Sequence, residues 1–92
     1  MEPEARPMML LDEADRALAE VLLGRSQCLY NMGRNAEATS DAQRALDLAH
    51  AVCDPRLESQ VLVELGSQAR ARGDLAVARP VIQQALDRAE AA

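Results

Sequence analysis

Two stretches of the chain repeat one another at a spacing of 40 residues. Val21, Leu22, Gly33, Ala36, Ala38, Gln43, Ala45, Leu46, Asp47, Ala49 and Ala51 recur as Val61, Leu62, Gly73, Ala76, Ala78, Gln83, Ala85, Leu86, Asp87, Ala89 and Ala91. Self-similarity at a fixed period restricts what the chain can fold into. It marks a repeat architecture, in which one supersecondary unit stacks on the next because neither buries its apolar face alone. Such an array reads as a binding scaffold.

A chain of 92 residues makes one small domain, which buries about two thirds of its unfolded surface. The apolar content rests on Ala, Leu and Val, with Tyr30 the only aromatic residue. Small side chains let helices approach closely, whereas a sheet draws on β-branched and aromatic residues. The expected fold class is therefore all-α, with antiparallel helix hairpins stacked as a short solenoid of four helices. The net charge is -5 and every basic residue is an Arg. Nucleic acid and anionic membrane need a basic field, so both are excluded as partners of this domain. The start of the chain shows no signal-peptide pattern, and no stretch approaches the roughly 18 apolar residues of a membrane span. A cytoplasmic location is expected, with Cys28 and Cys53 as reduced thiols in small core positions. No His or third thiol stands at ligand spacing, so neither metal nor cofactor is expected.

The first helix runs from about residue 8, just inside Pro7, to about 32, with a break near Ala17 as the alternative. Its apolar stripe reads as Leu11, Ala14, Leu18, Val21, Leu22, Cys28, Leu29 and Met32. Gly33 ends it in the left-handed conformation, and Asn35 is placed to cap the next helix, about 36–52. That helix offers Ala38, Ala42, Ala45, Leu46, Ala49 and Val52 on one side. Asp54 and Pro55 supply a cap and a first-turn proline for a third helix to about Arg72, with Leu62, Leu65, Gly66 and Ala69 buried. Gly73 and Asp74 repeat the device, and a fourth helix starts near Leu75. Pro80 either kinks that helix, or residues 74–79 form a looser turn. The kink is preferred because Ala78, Ile82, Ala85, Leu86 and Ala89 keep a helical phase across it.

Written as 34-residue units, the copies are 19–52 and 59–92, joined by a 53–58 linker, with 1–18 as an extension or the remnant of a preceding unit. Ala5-Arg6-Pro7 echoes Ala78-Arg79-Pro80, which suits the remnant. In the second unit Leu62, Leu65-Gly66, Gly73, Ala78, Ile82 and Ala85-Leu86 fall at the large, small and turn positions of the tetratricopeptide repeat. Leu22, Ser26, Leu29, Gly33, Ala38, Ala42 and Ala45-Leu46 hold the matching places in the first. The chain thus resembles the tetratricopeptide family over about three quarters of its length. Its 40-residue period is similar to the extended repeats of bacterial regulators and scaffold proteins of that superfamily. Departures are Ala69 for the usual Tyr, Arg25 where Leu is usual, and no terminal Pro in either unit. The alternative is an Ala-rich pair of helix hairpins that shares only caps.

The resemblance implies a right-handed solenoid whose concave groove, lined by the first helix of each unit, binds a protein or peptide. It points to Glu20, Leu23, Gln27, Tyr30 and Asn31 from one unit and to Gln60, Val63, Glu64, Ser67, Arg70 and Ala71 from the other. These residues recur at three- and four-residue steps, off the packed stripe. Tyr30 reads either as a contact or as a space-filler between units. The family's carboxylate clamp uses Lys and Asn where this chain has Leu23 and Gln27, so chaperone-tail binding is disfavoured. Arg70 and Arg72 suit an acidic peptide or a solvated face. His50, the only histidine, reads as a dipole partner near a helix end, and no catalytic arrangement is expected. The helix after Gly33 carries Glu37, Asp41 and Asp47 against Arg44, which is wrong for a DNA-recognition helix. Two functions follow, a protein-binding regulatory or scaffolding module and a structural domain that dimerises through exposed terminal helix faces.

Overall fold

The computed structural model describes the backbone of residues 5–91 and the side chains of residues 12–91. Four helices follow in order, α1 (Ala5–Asn31), α2 (Asn35–Ala51), α3 (Pro55–Ala71) and α4 (Leu75–Ala91), with no strand among the described residues. The fold is all-α. α1 and α2 pack as one hairpin, α3 and α4 as a second, and the hairpins join chiefly where α3 lies on α2 and touches α1. α1 is continuous through Ala17. The expected stripe residue Leu11 and the side chains of the Ala5-Arg6-Pro7 echo lie outside the described side chains.

The backbone repeats twice as often as the sequence. α2, α3 and α4 are each 17 residues long and begin at residues 35, 55 and 75. Three-residue turns separate them, and all three turns of the chain close in the same way. The N–H groups of Gly33, Cys53 and Gly73 donate to the carbonyls of Tyr30, His50 and Arg70 at 3.0, 3.1 and 2.9 Å. The next N–H groups, those of Arg34, Asp54 and Asp74, donate to Leu29, Ala49 and Ala69 at 2.9, 3.1 and 2.9 Å. This paired bonding satisfies the last carbonyls of each helix and requires a left-handed residue at its centre. The φ angles there are 82° at Gly33, 54° at Cys53 and 81° at Gly73. Cys53 takes the conformation without a glycine's freedom, a cost of about 1–3 kcal/mol. Of residues 53–58, Pro55 onward already belongs to α3, so the two units are joined by a turn and a helix start.

Two helix starts match expectation and one does not. Asp54 accepts from the Leu57 N–H at 3.1 Å, and Asp74 accepts from the Val77 N–H at 3.3 Å. Asn35 does not cap α2. It is the first helical residue, and Arg34 stands at the cap with no side-chain hydrogen bond to the helix. Arg34 instead grips Glu37 with two contacts of 2.7 Å. α4 runs unbroken from Leu75 through Pro80, so the looser turn over 74–79 does not form. Pro80 removes a donor to the Ala76 carbonyl, but both residues are exposed, so solvent serves it.

The α1 stripe needs the largest correction. Ala19, Leu22 and Ser26 are buried, with Leu23, Leu29 and Tyr30 half-buried, while Ala14, Leu18, Val21, Cys28 and Met32 are exposed. α1 carries apolar residues on two edges, and periodicity alone does not say which edge α2 covers. Neither thiol is in the core, since Cys28 and Cys53 are both exposed. On α2, Ala38, Ala42, Ala45 and Ala49 are buried as expected. α3 is buried on two sides, adding Leu57, Glu58, Val61 and Gln68 to the expected Leu62, Leu65, Gly66 and Ala69. On α4 only Ala78 and Ala85 are buried, and Ile82, Leu86 and Ala89 are exposed.

The second hairpin closes over Gly66. A Cβ there would stand 2.7 Å from Ile82 Cγ1, whereas one on Gly24 would meet nothing within 4 Å. Gly66→Val is therefore expected to lower stability by about 1–3 kcal/mol through overpacking. Gly24→Ala, relieved of glycine's helix penalty, is expected to raise it by up to ~1 kcal/mol. Urea melts of both variants check the opposite signs.

Candidate functional site

α1 and α3 lie side by side, and the strip between them forms an open groove. Leu23 and Gln27 from α1 line it with Ser59, Gln60, Val63 and Glu64 from α3. Five of these six are among the residues the sequence marks for a groove, drawn from helices a whole repeat apart. Val63 lies in the groove with 51% of its surface exposed, flanked by the amides of Gln27 and Gln60 and the carboxylate of Glu64. Gln27 Nε2 donates across the groove to Glu64 Oε1 at 3.2 Å.

Beneath this surface contact runs a buried chain of hydrogen bonds. Gln68 Nε2 donates to Glu64 Oε2 at 3.0 Å and to Ser26 Oγ at 2.9 Å. Ser26 in turn donates to the Ala38 carbonyl at 2.6 Å, and Thr39 donates to Gln68 Oε1 at 3.3 Å. The Gln68 amide thereby uses both of its N–H groups and its carbonyl. Side chains of α1, α2 and α3 converge on it, which fixes how the two walls of the groove face each other.

The remaining marked residues divide. Glu20 and Gln60 border a second depression, at the start of α3, together with Arg16, Asp54, Arg56 and Leu57. Tyr30 is half-buried, while Asn31, Ser67, Arg70 and Ala71 are exposed, and these five line neither depression. Arg70 and Arg72 enter none of the ion pairs among the described residues. Ser59 went unmarked in the sequence. It aligns with Ala19 of the first unit, which carries no polar group, and its Oγ also donates to the Ala85 carbonyl at 2.8 Å.

A second cleft, on the far side of α3, was not legible at all. It is lined by Leu46, Asp47, His50, Glu58, Leu62, Gln84 and Arg88 from three helices. Glu58 is nearly buried, and its Oε2 lies 3.3 Å from Arg88 Nε and 3.6 Å from His50 Nδ1. His50 sits in the last turn of α2, where a helix-dipole role was expected, and here it also faces a carboxylate. Among the described residues no group of three His, Cys, Asp or Glu side chains is arranged to hold a metal ion. No helix among them is long and apolar enough to cross a membrane.

Two carboxylates are held ionised by their surroundings. Asp41 lies below the usual carboxylate range because Arg25 of α1 hydrogen-bonds it, with contacts of 2.5 and 2.9 Å. Asp54 is lowered first by the Leu57 N–H and then by Arg16, whose Nε lies 3.0 Å away. That pair ties α1 to the start of α3 along the edge of the groove.

Among known proteins, no family model, no curated protein and no solved structure matches the chain.

Because the unfolded chain takes up these two protons at higher pH than the folded one, their stabilisation is complete above about pH 4 and is lost as the pH falls through the lowered folded-state values. Asp54→Asn keeps the cap acceptor without the charge, so the stability of this variant should fall less steeply between pH 5 and pH 2.5 on the scale set by about pH 4 for a free Asp. Asp54→Ala should cost about 1 kcal/mol at neutral pH. Thermal melts across that pH series measure both effects.

Proposed function

We propose that the chain is a protein-interaction module of two tetratricopeptide-like units, which takes a peptide segment of another protein along the α1–α3 groove in a regulatory or scaffolding role. One observation carries the reading. Leu23, Gln27, Gln60, Val63 and Glu64, chosen from the repeat pattern, gather in a single open groove around an exposed valine. A small apolar spot rimmed by amides and a carboxylate suits a bound peptide, because the valine takes one apolar side chain while the rim bonds the peptide backbone.

Equivalence of the two units supports the family reading. Leu22 and Leu62, Ala38 and Ala78, and Ala45 and Ala85 are buried in both. Gly33 and Gly73 share one backbone conformation, and Ser26 and Gly66 provide the small residue where each hairpin closes. The two unpaired thiols suit a reducing compartment, and a cytoplasmic location is proposed on that ground.

Dodecapeptides selected from a random display library on the intact chain test the proposal. Their NMR shift perturbations should cluster at Leu23, Gln27, Gln60, Val63 and Glu64. Val63→Asp should weaken binding at least about tenfold, the loss of one buried apolar contact, while circular dichroism stays unchanged. Perturbations centred elsewhere, or binding that survives Val63→Asp, would show that the groove is not the binding surface.

A further inference from the structure

The repeat identities fall into two sets once their burial is compared. Pairs that face the inside of their own hairpin, such as Leu22 and Leu62 or Ala38 and Ala78, are buried in both units. Pairs that face between hairpins are buried once. Val61, on the side of α3 that meets α1 and α2, is 0% exposed, and its counterpart Val21 on α1 is 64% exposed. Leu46 is half-buried against the core, and its counterpart Leu86 is 56% exposed. The outer face of α1 is thus the uncovered equivalent of α3's junction face, and the outer face of α4 is that of α2's.

The substitutions between counterparts change the polarity of these two faces. Where α3 presents the polar Glu58, Glu64 and Gln68, α1 has Leu18, Gly24 and Cys28. Where α2 has Asn35 and Thr39, α4 has Leu75 and Arg79. The α1 face is therefore more apolar than the junction face it copies, and α4 offers Leu75 and Leu86 beside Arg79. The space over Gly24 on the α1 face is open. Arg25, the one charge within the α1 face, is already bonded to Asp41 inside its own hairpin.

We propose that a second copy of this chain docks head to tail, its α1 outer face seated on α4 as α3 is seated on α2. The internal α2–α3 junction is the template, and its reuse joins copies into a continued stack of hairpins. Such an interface is heterologous, with two different faces meeting, so it does not close at a dimer and chains of copies grow with concentration. Burial of Leu18, Val21, Leu75 and Leu86 supplies the driving force.

Sedimentation velocity on the intact chain, from about 10 µM to about 1 mM where a weak contact populates, tests the proposal with two variants. Val21→Glu spoils only the α1 face and Leu86→Glu only the α4 face. The unchanged chain should pass beyond dimer as concentration rises, and each variant alone should stay monomeric. Mixed in equal amounts, the variants should form a one-to-one dimer and nothing larger, since one intact α4 face meets one intact α1 face. A monomer throughout for the unchanged chain overturns the proposal. So does a mixture that stays monomeric, or a variant that still dimerises by itself, which would mean that like faces pair. If either variant loses helicity by circular dichroism, Leu18→Glu and Leu75→Glu on the same faces take their places.

Discussion

Among the described residues, Gln68 is the largest side chain that the core closes over completely, and the joining of the two hairpins depends on it. With Ala, Leu and Val as its main apolar material, the protein has little bulk with which to key one hairpin against the other. The amide provides directionality instead. It bonds Ser26 of α1, Thr39 of α2 and Glu64 of its own helix, so sliding or rotation of α3 would strand polar groups away from water. A buried polar network of this kind fixes geometry strongly when every member is satisfied. No buried side-chain polar atom among the described residues lacks a partner.

The groove inherits its shape from that junction. Glu64 belongs to both, accepting from Gln68 on the buried side and from Gln27 on the open side. A ligand that displaced Gln27 would therefore act on a carboxylate already anchored to the core. The Arg16–Asp54 and Arg25–Asp41 pairs then pin α1 to α3 and to α2. The peptide groove and the proposed stacking faces occupy different sides of the helices, so one module has room for a partner and for a neighbouring copy.

Helices, turns and groove were legible in the sequence to different depths. Glycine at the left-handed position and Asp at the cap are local chemistry, which is why Gly33, Gly73, Asp54 and Asp74 read correctly. The turn before α3 was legible from Asp54 and Pro55, but its left-handed centre was not, because a cysteine takes the conformation that glycine takes at 33 and 73. The backbone period is 20 residues, whereas the sequence identities recur at 40. Burial on α1 and α4 misread for another reason. These helices have apolar residues on more than one edge, and which edge is covered depends on neighbours that periodicity does not contain. The His50–Glu58–Arg88 cleft joins three helices through residues with no shared spacing, and only the packed structure brings them together.

A double-mutant cycle on Ser26→Ala and Gln68→Leu, measured by urea unfolding, tests most directly whether this network joins the hairpins. The account predicts that each single change leaves a buried partner unsatisfied at about 1–3 kcal/mol. The double variant should lose less than the sum, with a coupling of about 1 kcal/mol or more. Additive losses, equal within about 0.5 kcal/mol to the sum of the single changes, would contradict it and leave apolar packing alone as what holds α3 in place.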